Sequence, residues 1–317
     1  MRAALSILTE ELRRLKAAGV KSVAVSDESL AGLRRATEKW SRGAPAAVVI
    51  AAKRDEGVAS PTEPVALAGR KPAPREESAE PAPAPVPAEA AGVIPLPVPF
   101  ELPAGGKAER MGALRERVLG DAVCRAHVRP GKKVVVGVGS LDAKIMFVGE
   151  APGGEEEVQG EPFVGPAGQL LTKMINAMGL KREEVYIGNI MNWRPEMPVN
   201  ASGVQYGNRP PTEDEMRYCL PYLRAQIEIV NPELLVALGS TAAQGLLGVG
   251  TFKALGEVRG RWREFAGKPL MVTYHPSYIL RNQSNRSKRM IWEDLLKVME
   301  RAGLPVSEKQ HGYFLGK

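Results

Sequence analysis

Twelve prolines fall between Pro61 and Pro103, in a stretch otherwise rich in Ala and Glu. Proline fixes its own φ and has no amide hydrogen to give, so neither a helix interior nor a central strand can run through such a segment. The run PAPAPVPAE favours extended polyproline II. Its composition buries too little apolar surface to offset the entropy of ordering. The 317-residue chain is thereby partitioned before any motif is considered. Residues 46–110 are predicted to be a disordered, semi-stiff tether. Residues 1–45 form a small helical or α/β N-terminal element, residues 111–305 one large compact domain, and 306–317 a C-terminal tail.

The N-terminal element reads as two short helices around a strand. Leu5, Leu8, Leu12 and Leu15 recur at helical spacing, Gly19 can stop that helix, and Asp27 can cap a second one. Roughly 45 residues make a marginal core, so this element reads as a small appendage, with docking on the main domain or on a protein partner as the alternative. The formal charge of +7 favours polyanionic partners, nucleic acid above all. The pattern holds neither a membrane span nor a leader with an apolar centre, so a cytoplasmic protein is expected; a monomer associated with the nucleoid is the accompanying expectation. Two cysteines, Cys124 and Cys219, are too few for a disulfide framework or a four-thiolate metal site.

Strand and helix patterns alternate through the compact domain. Strands are predicted at 133–136, 144–148, 184–190, 234–238 and 270–273, and helices at 111–118, 168–178, 213–230, 240–247 and 288–301. That order implies an α/β protein of three layers, α/β/α, around a central, mostly parallel sheet. In such sheets the site lies outside the carboxyl ends of the strands.

Three loops at strand ends carry polar or aromatic residues suited to chemistry. Gly149-Glu150-Ala151-Pro152-Gly153 follows KIMFV, and its small residues let backbone N–H groups approach a ligand. Further on, Phe163 stands in a run crowded with Gly and Pro; it is either a core aromatic or a stacking platform for a planar base. Asn189 ends a buried strand, where its amide must find partners or serve a structural turn. His275-Pro276-Ser277 follows MVTY, and a neutral imidazole there can either cap the turn or donate to a developing oxyanion.

Taken together, GEAPGGEEEVQGEPFVGPAGQLL, YIGN, NRPPTEDEMRYCLPYL, LVALGSTAA and TYHPSYILR resemble the uracil-DNA glycosylase superfamily, most closely its family 4. The resemblance spans about residues 111–300. It implies a DNA repair glycosylase that flips uracil out of single- or double-stranded DNA and hydrolyses its N-glycosidic bond. It places Glu150 and Ala151 in the loop that holds the uracil O2 edge and the water. It makes Phe163 the stacking aromatic, Asn189 the amide that reads uracil, and His275 the group that stabilises charge on O2. Ile279, Leu280 and Arg281 fall in the loop that enters the duplex. Arg281, Arg286, Lys288 and Arg289 are candidates for phosphate contact, as are the backbone N–H groups near Ser240 and Thr241. A binding module of the same fold, without turnover, is the alternative.

The sequence departs from the family in three places. Family 4 members hold a four-iron–four-sulfur cluster through four cysteines. Here Cys219 fits the last position and Cys124 lies near the early pair, while Trp193 stands at the third and His127 or Asp121 at the remaining one. No cofactor and no metal are therefore predicted, with Trp193 and apolar neighbours filling the space, although a Cys124, His127, Cys219 zinc site is conceivable. The stretch 196–207 is longer than the family's link, and either packs where the cluster loop would be or lies along the DNA groove. Ala151 occupies the place of a family 1 Asp, which leaves the water-activating group open. The segment 258–263 has no His, which disfavours the covalent DNA attachment of a related branch.

Overall fold

The computed structural model describes residues 94–200 and 203–315. The expected N-terminal element and most of the expected tether lie outside the described residues. A six-stranded sheet forms the centre, in the order β1-β3-β2-β4-β6-β5. Its strands are β1 (Val138–Gly139), β2 (Ile145–Gly149), β3 (Tyr186–Asn189), β4 (Leu234–Leu238), β5 (Trp262–Phe265) and β6 (Lys268–Thr273). The four inner strands pair in parallel, and β1 and β5 close the two edges antiparallel.

Three layers follow from the two-residue period of a strand. Met146 and Val148 of β2, with Leu235 and Ala237 of β4, enter one apolar cluster. Ile145 and Phe147, with Leu234, Val236 and Leu238, enter the other. Helices α1 (Lys107–Gly120), α5 (Glu213–Val230) and α6 (Ser240–Leu247) cover the first face. Helices α4 (Pro166–Ala177), α7 (Pro276–Arg281) and α8 (Asn285–Arg301) cover the second. Three further α-helices are short, α2 (Ala122–Ala126), α3 (Glu156–Gln159) and α9 (Glu308–His311), and single 3-10 turns lie at Arg182–Glu184 and Leu255–Glu257. Inner strands buried on both sides explain why β2 and β4 read as unbroken apolar runs.

Several expected elements shift. Residues 133–136 form no strand. The Val135 N–H instead donates to the Asn192 carbonyl at 2.8 Å, and the Asn192 amide donates to the Val135 carbonyl at 2.9 Å. Glycines at 137 and 139 interrupt the extended run, and Gly139 adopts a φ of 127°. Strand β5 had no place in the sequence pattern. It pairs with β6 through Ala266-Gly267, both at positive φ, a two-residue turn that matches strand twist. At the ends, Ile94, Phe100 and Leu102 pack on the first apolar cluster, and Val306 and Tyr313 on the second. The Trp292 indole donates to the Gln310 carbonyl at 2.6 Å, which seals α9 onto α8.

Candidate functional site

The carboxyl ends of β2, β3, β4 and β6 open onto one cavity of about 650 Å³. Glu150, Ala151, Phe163, Asn189, Ser240, His275 and Arg281 all line it. The loops expected to carry chemistry thus meet because parallel register puts Gly149 beside Asn189 and Leu238 beside Thr273. Gly149 sits where the amide and the ring converge. A Cβ there would fall 2.4 Å from both Asn189 Oδ1 and Phe163 Cζ, so only glycine lets the amide and the ring approach.

Asn189 is 7% exposed, yet its Oδ1 has no hydrogen-bond partner. A buried carbonyl oxygen left unmatched costs about 1–3 kcal/mol unless a ligand donates to it. Phe163 lies 5.6 Å from the His275 ring, centroid to centroid, with the planes inclined by 32°. The aromatic, the amide and the imidazole therefore share one wall of the cavity.

His275 caps α7, and its Nδ1 accepts the Ser277 N–H at 3.2 Å, with Ser277 Oγ at 2.8 Å. That acceptor role leaves the proton of a neutral ring on Nε2. Burial, and then the positive charge of Arg281, hold the imidazole down at about 4. His275 is accordingly a neutral donor near pH 7. Burial pushes the Glu150 carboxyl upward, opposed by a hydrogen bond from Thr241. The strand end that carries His275 is braced from below: Thr273 donates to Asp294 Oδ2 at 2.6 Å, and Arg259 pairs with the same oxygen at 2.7 Å.

The helix after His275 corrects part of the expected DNA-facing set. Ile279 is buried in the second apolar cluster, because α7 turns it inward against the sheet. Leu280 projects outward, 41% exposed. Arg281 lines the cavity and Arg286 is exposed. Arg289 is occupied, its guanidinium donating to the His311 and Tyr313 carbonyls at 2.7 and 2.9 Å and to Glu293 at 2.9 Å. It holds the C-terminal turn rather than offering a charge to phosphate.

Asn208 and Pro210 also line the cavity and had no role in the sequence reading, although both lie in the NRPP run. Asn208 Oδ1 accepts from Arg194 Nε at 2.8 Å, and Arg194 also pairs with Glu157 at 2.9 Å. The stretch 196–207 is pinned at its base. Arg129 donates to the Met197 carbonyl at 2.8 Å, and the buried Gln205 donates to the Pro195 carbonyl at 3.1 Å. Tyr206, near its end, is exposed.

The cysteines lie elsewhere, between α2 and α5. Cys124 and Cys219 are fully buried, and their thiols are within hydrogen-bonding reach of each other. That neighbour, together with burial, drives the Cys124 thiol far above its usual range. Trp193 is fully buried, stacks on His127 at 5.1 Å with the rings 13° from parallel, and packs against Tyr218 at 6.2 Å with the rings inclined by 58°. Asp121 accepts the Tyr218 and Tyr222 hydroxyls at 2.8 Å each and the Cys124 N–H at 2.7 Å. Among the described residues, no group of three or more His, Cys, Asp or Glu side chains could hold a metal ion. Two free thiols beside a packed indole do not supply the four thiolates that hold a four-iron–four-sulfur cluster. Nor is any described helix long and apolar enough to cross a membrane.

Comparison with known proteins matches this arrangement. A type-4 uracil-DNA glycosylase of Thermotoga maritima is 43% identical over 192 residues, covering 60% of this chain and 94% of that protein. One of Saccharolobus solfataricus is 41% identical, covering 53% and 76%. Another, of Sulfurisphaera tokodaii, is 40% identical, covering 57% and 80%. A family profile matches residues 136–296, the whole stretch from the first sheet edge to the middle of α8, and with it the chain belongs to the uracil DNA glycosylase superfamily.

Proposed function

We propose that this protein is a uracil-DNA glycosylase that accepts a uracil flipped from single- or double-stranded DNA and hydrolyses its N-glycosidic bond, leaving an abasic site. The observation that carries the reading is Asn189 Oδ1, a buried acceptor without a partner beside an aromatic face. Uracil presents an N3–H to such an oxygen and an O4 to the amide NH₂, whereas cytosine presents the reverse.

In this mechanism the electron pair of the C1′–N1 bond moves into the uracil ring and collects on O2. His275, neutral with its proton on Nε2, donates to that oxygen; the dry, preformed site makes such a donor effective. Phe163 stacks on the extruded base and replaces part of the lost helix stacking. The sugar carries the positive charge until water adds at C1′, and Glu150, oriented by Thr241, is assigned to take the water proton. Leu280 fills the gap in the duplex, while Arg281, Arg286 and the helix start at Ser240 hold phosphates. We propose that the protein works without an iron–sulfur cluster, as a monomer on chromosomal DNA in the cytoplasm, and that residues 1–45 and the proline-rich stretch reach a protein partner.

The test uses oligonucleotides bearing one uracil, single- and double-stranded, followed by alkali cleavage at abasic sites. Wild type should cut, and Asn189→Ala and His275→Ala should each lose about 100-fold or more in single-turnover rate. Full cleavage by both variants would contradict the assignment. Tight binding of uracil DNA by a wild type that never cuts would favour the binding-module alternative.

A further inference from the structure

Phe163 occupies a backbone conformation that a side chain disfavours. Its φ is 55°, in the left-handed region, where a residue bearing a Cβ loses about 1–2 kcal/mol. A strained residue persists only when its surroundings over-determine it. Here the surroundings are centred on Glu156, a buried carboxylate in α3.

Glu156 takes three hydrogen bonds from backbone. Its Oε1 accepts the N–H groups of Val164 at 3.0 Å and Gly165 at 2.9 Å, the two residues directly after Phe163. Its Oε2 accepts the Gly153 N–H at 3.1 Å, in the loop that leaves β2 and carries Ala151. One side chain thus ties together two loops that reach the cavity from different directions. Only a carboxylate offers acceptors on both oxygens; a glutamine would turn its NH₂ toward one set of donors. The surrounding glycines make room for this clip. A Cβ at Gly153 would lie 2.6 Å from Glu156 Oε2, and one at Gly168 would lie 1.9 Å from the Phe163 carbonyl oxygen. On the other flank, Arg182 donates to the Pro162 carbonyl at 2.6 Å, so Phe163 is held from both sides.

We propose that Glu156 is a positioning residue for base excision: it sets the Phe163 ring at the spacing from Asn189 that a flipped base requires, and acts through that ring. The proposal rests on the uracil reading above. A displacement of about 1 Å in such a wall lowers the rate about 100-fold without weakening the grip on the DNA backbone.

The test is a double-mutant cycle on the full chain, with single-turnover excision and affinity for abasic DNA as readouts. Glu156→Gln should lower the excision rate at saturating DNA about 100-fold while abasic-DNA affinity stays within about 3-fold. In a Phe163→Ala background the same change should lower the rate by less than about 3-fold, since the ring it positions is gone. Equal losses in both backgrounds, or no loss in either, would overturn the proposal. Should Glu156→Gln fail to fold, Glu156→Asp keeps the charge but is too short to span both loops, and serves in the same cycle. Hydrogen exchange on wild type is a further check: fast exchange at the Val164 and Gly165 amides would also overturn the clip. A wild type that leaves uracil in place defeats the underlying reading as well, whereas an active wild type with an additive cycle defeats the clip alone.

Discussion

The cleft at the strand ends and the packed region between α2 and α5 are joined by only a few residues, for Asn189 lines the first and Trp193 plugs the second. They are built on opposite principles. The cleft keeps volume open, leaves Asn189 Oδ1 unmatched and holds Phe163 at positive φ. In the other region, Trp193 lies flat on His127, and Asp121 satisfies two tyrosine hydroxyls and a backbone amide. The strained Phe163 backbone and the unmatched Asn189 oxygen sit where a ligand can relieve them, whereas the orphan of the packed region is a donor, the buried Trp193 indole N–H. Dense packing fills the other region, where Trp193 and Tyr218 take up the space beside the two buried thiols.

The sharpest way to break this contrast is Trp193→Ala. Emptying that site should cost about 3–5 kcal/mol of stability, read by urea unfolding, while folded protein at 25 °C keeps its excision rate within about 3-fold. A large rate loss with little destabilisation would mean that the two regions are one. Asn189→Ala should behave in the opposite way. Excision should fall about 100-fold or more, yet stability should hold or rise, because an unmatched buried oxygen is removed. Asp121→Asn comes next, replacing a doubly acceptor carboxylate where three donors converge. A loss of about 1–3 kcal/mol is expected, with hydroxyl and amide exchange rising at Tyr218, Tyr222 and Cys124 and no change in uracil selectivity.

The smallest effect is the pH response of the cleft. In the unfolded chain His275 takes a proton near 6.5, but in the folded site only near 4. Between those values unfolding takes up a proton, so stability rises with pH across the window. This contribution is complete above the unfolded value and is lost as pH falls through the folded one. His275→Asn should flatten that part of a thermal-unfolding profile, and an NMR titration of wild type should show the ring neutral down to about pH 4. A ring that titrates near 6.5 would mean that the cleft is wetter than its geometry implies.

Several features were legible from residue order alone. The alternation of strands and helices implied three layers, because β2 and β4 are apolar on both faces and must be covered twice. Asn189 and His275 stood out because each stands at a strand end, and Phe163 because it stands in a run crowded with Gly and Pro, while strand ends converge in a parallel sheet. Trp193, at a position where the family resemblance implies a thiol, signalled a change in the packing there. Other features had no local signature. Ile279 and Leu280 are adjacent and equally apolar, and only the rotation of α7 against the sheet buries one and exposes the other. Arg289 and Arg281 lie in the same basic region, and only the path of the C-terminal turn commits Arg289 to carbonyl oxygens.

Residue order by itself determined which chemical groups this chain possesses and the periodicities that bring its strand ends together, since backbone geometry acts over a few residues at a time. The tertiary structure decided which of those groups are paired and which remain free. Glu156 reaches three amides from two loops, and Asn189 reaches none of the donors around it. Pairing of this kind depends on distances between segments far apart in the chain, and those distances are set only when the two apolar clusters close on either side of the sheet.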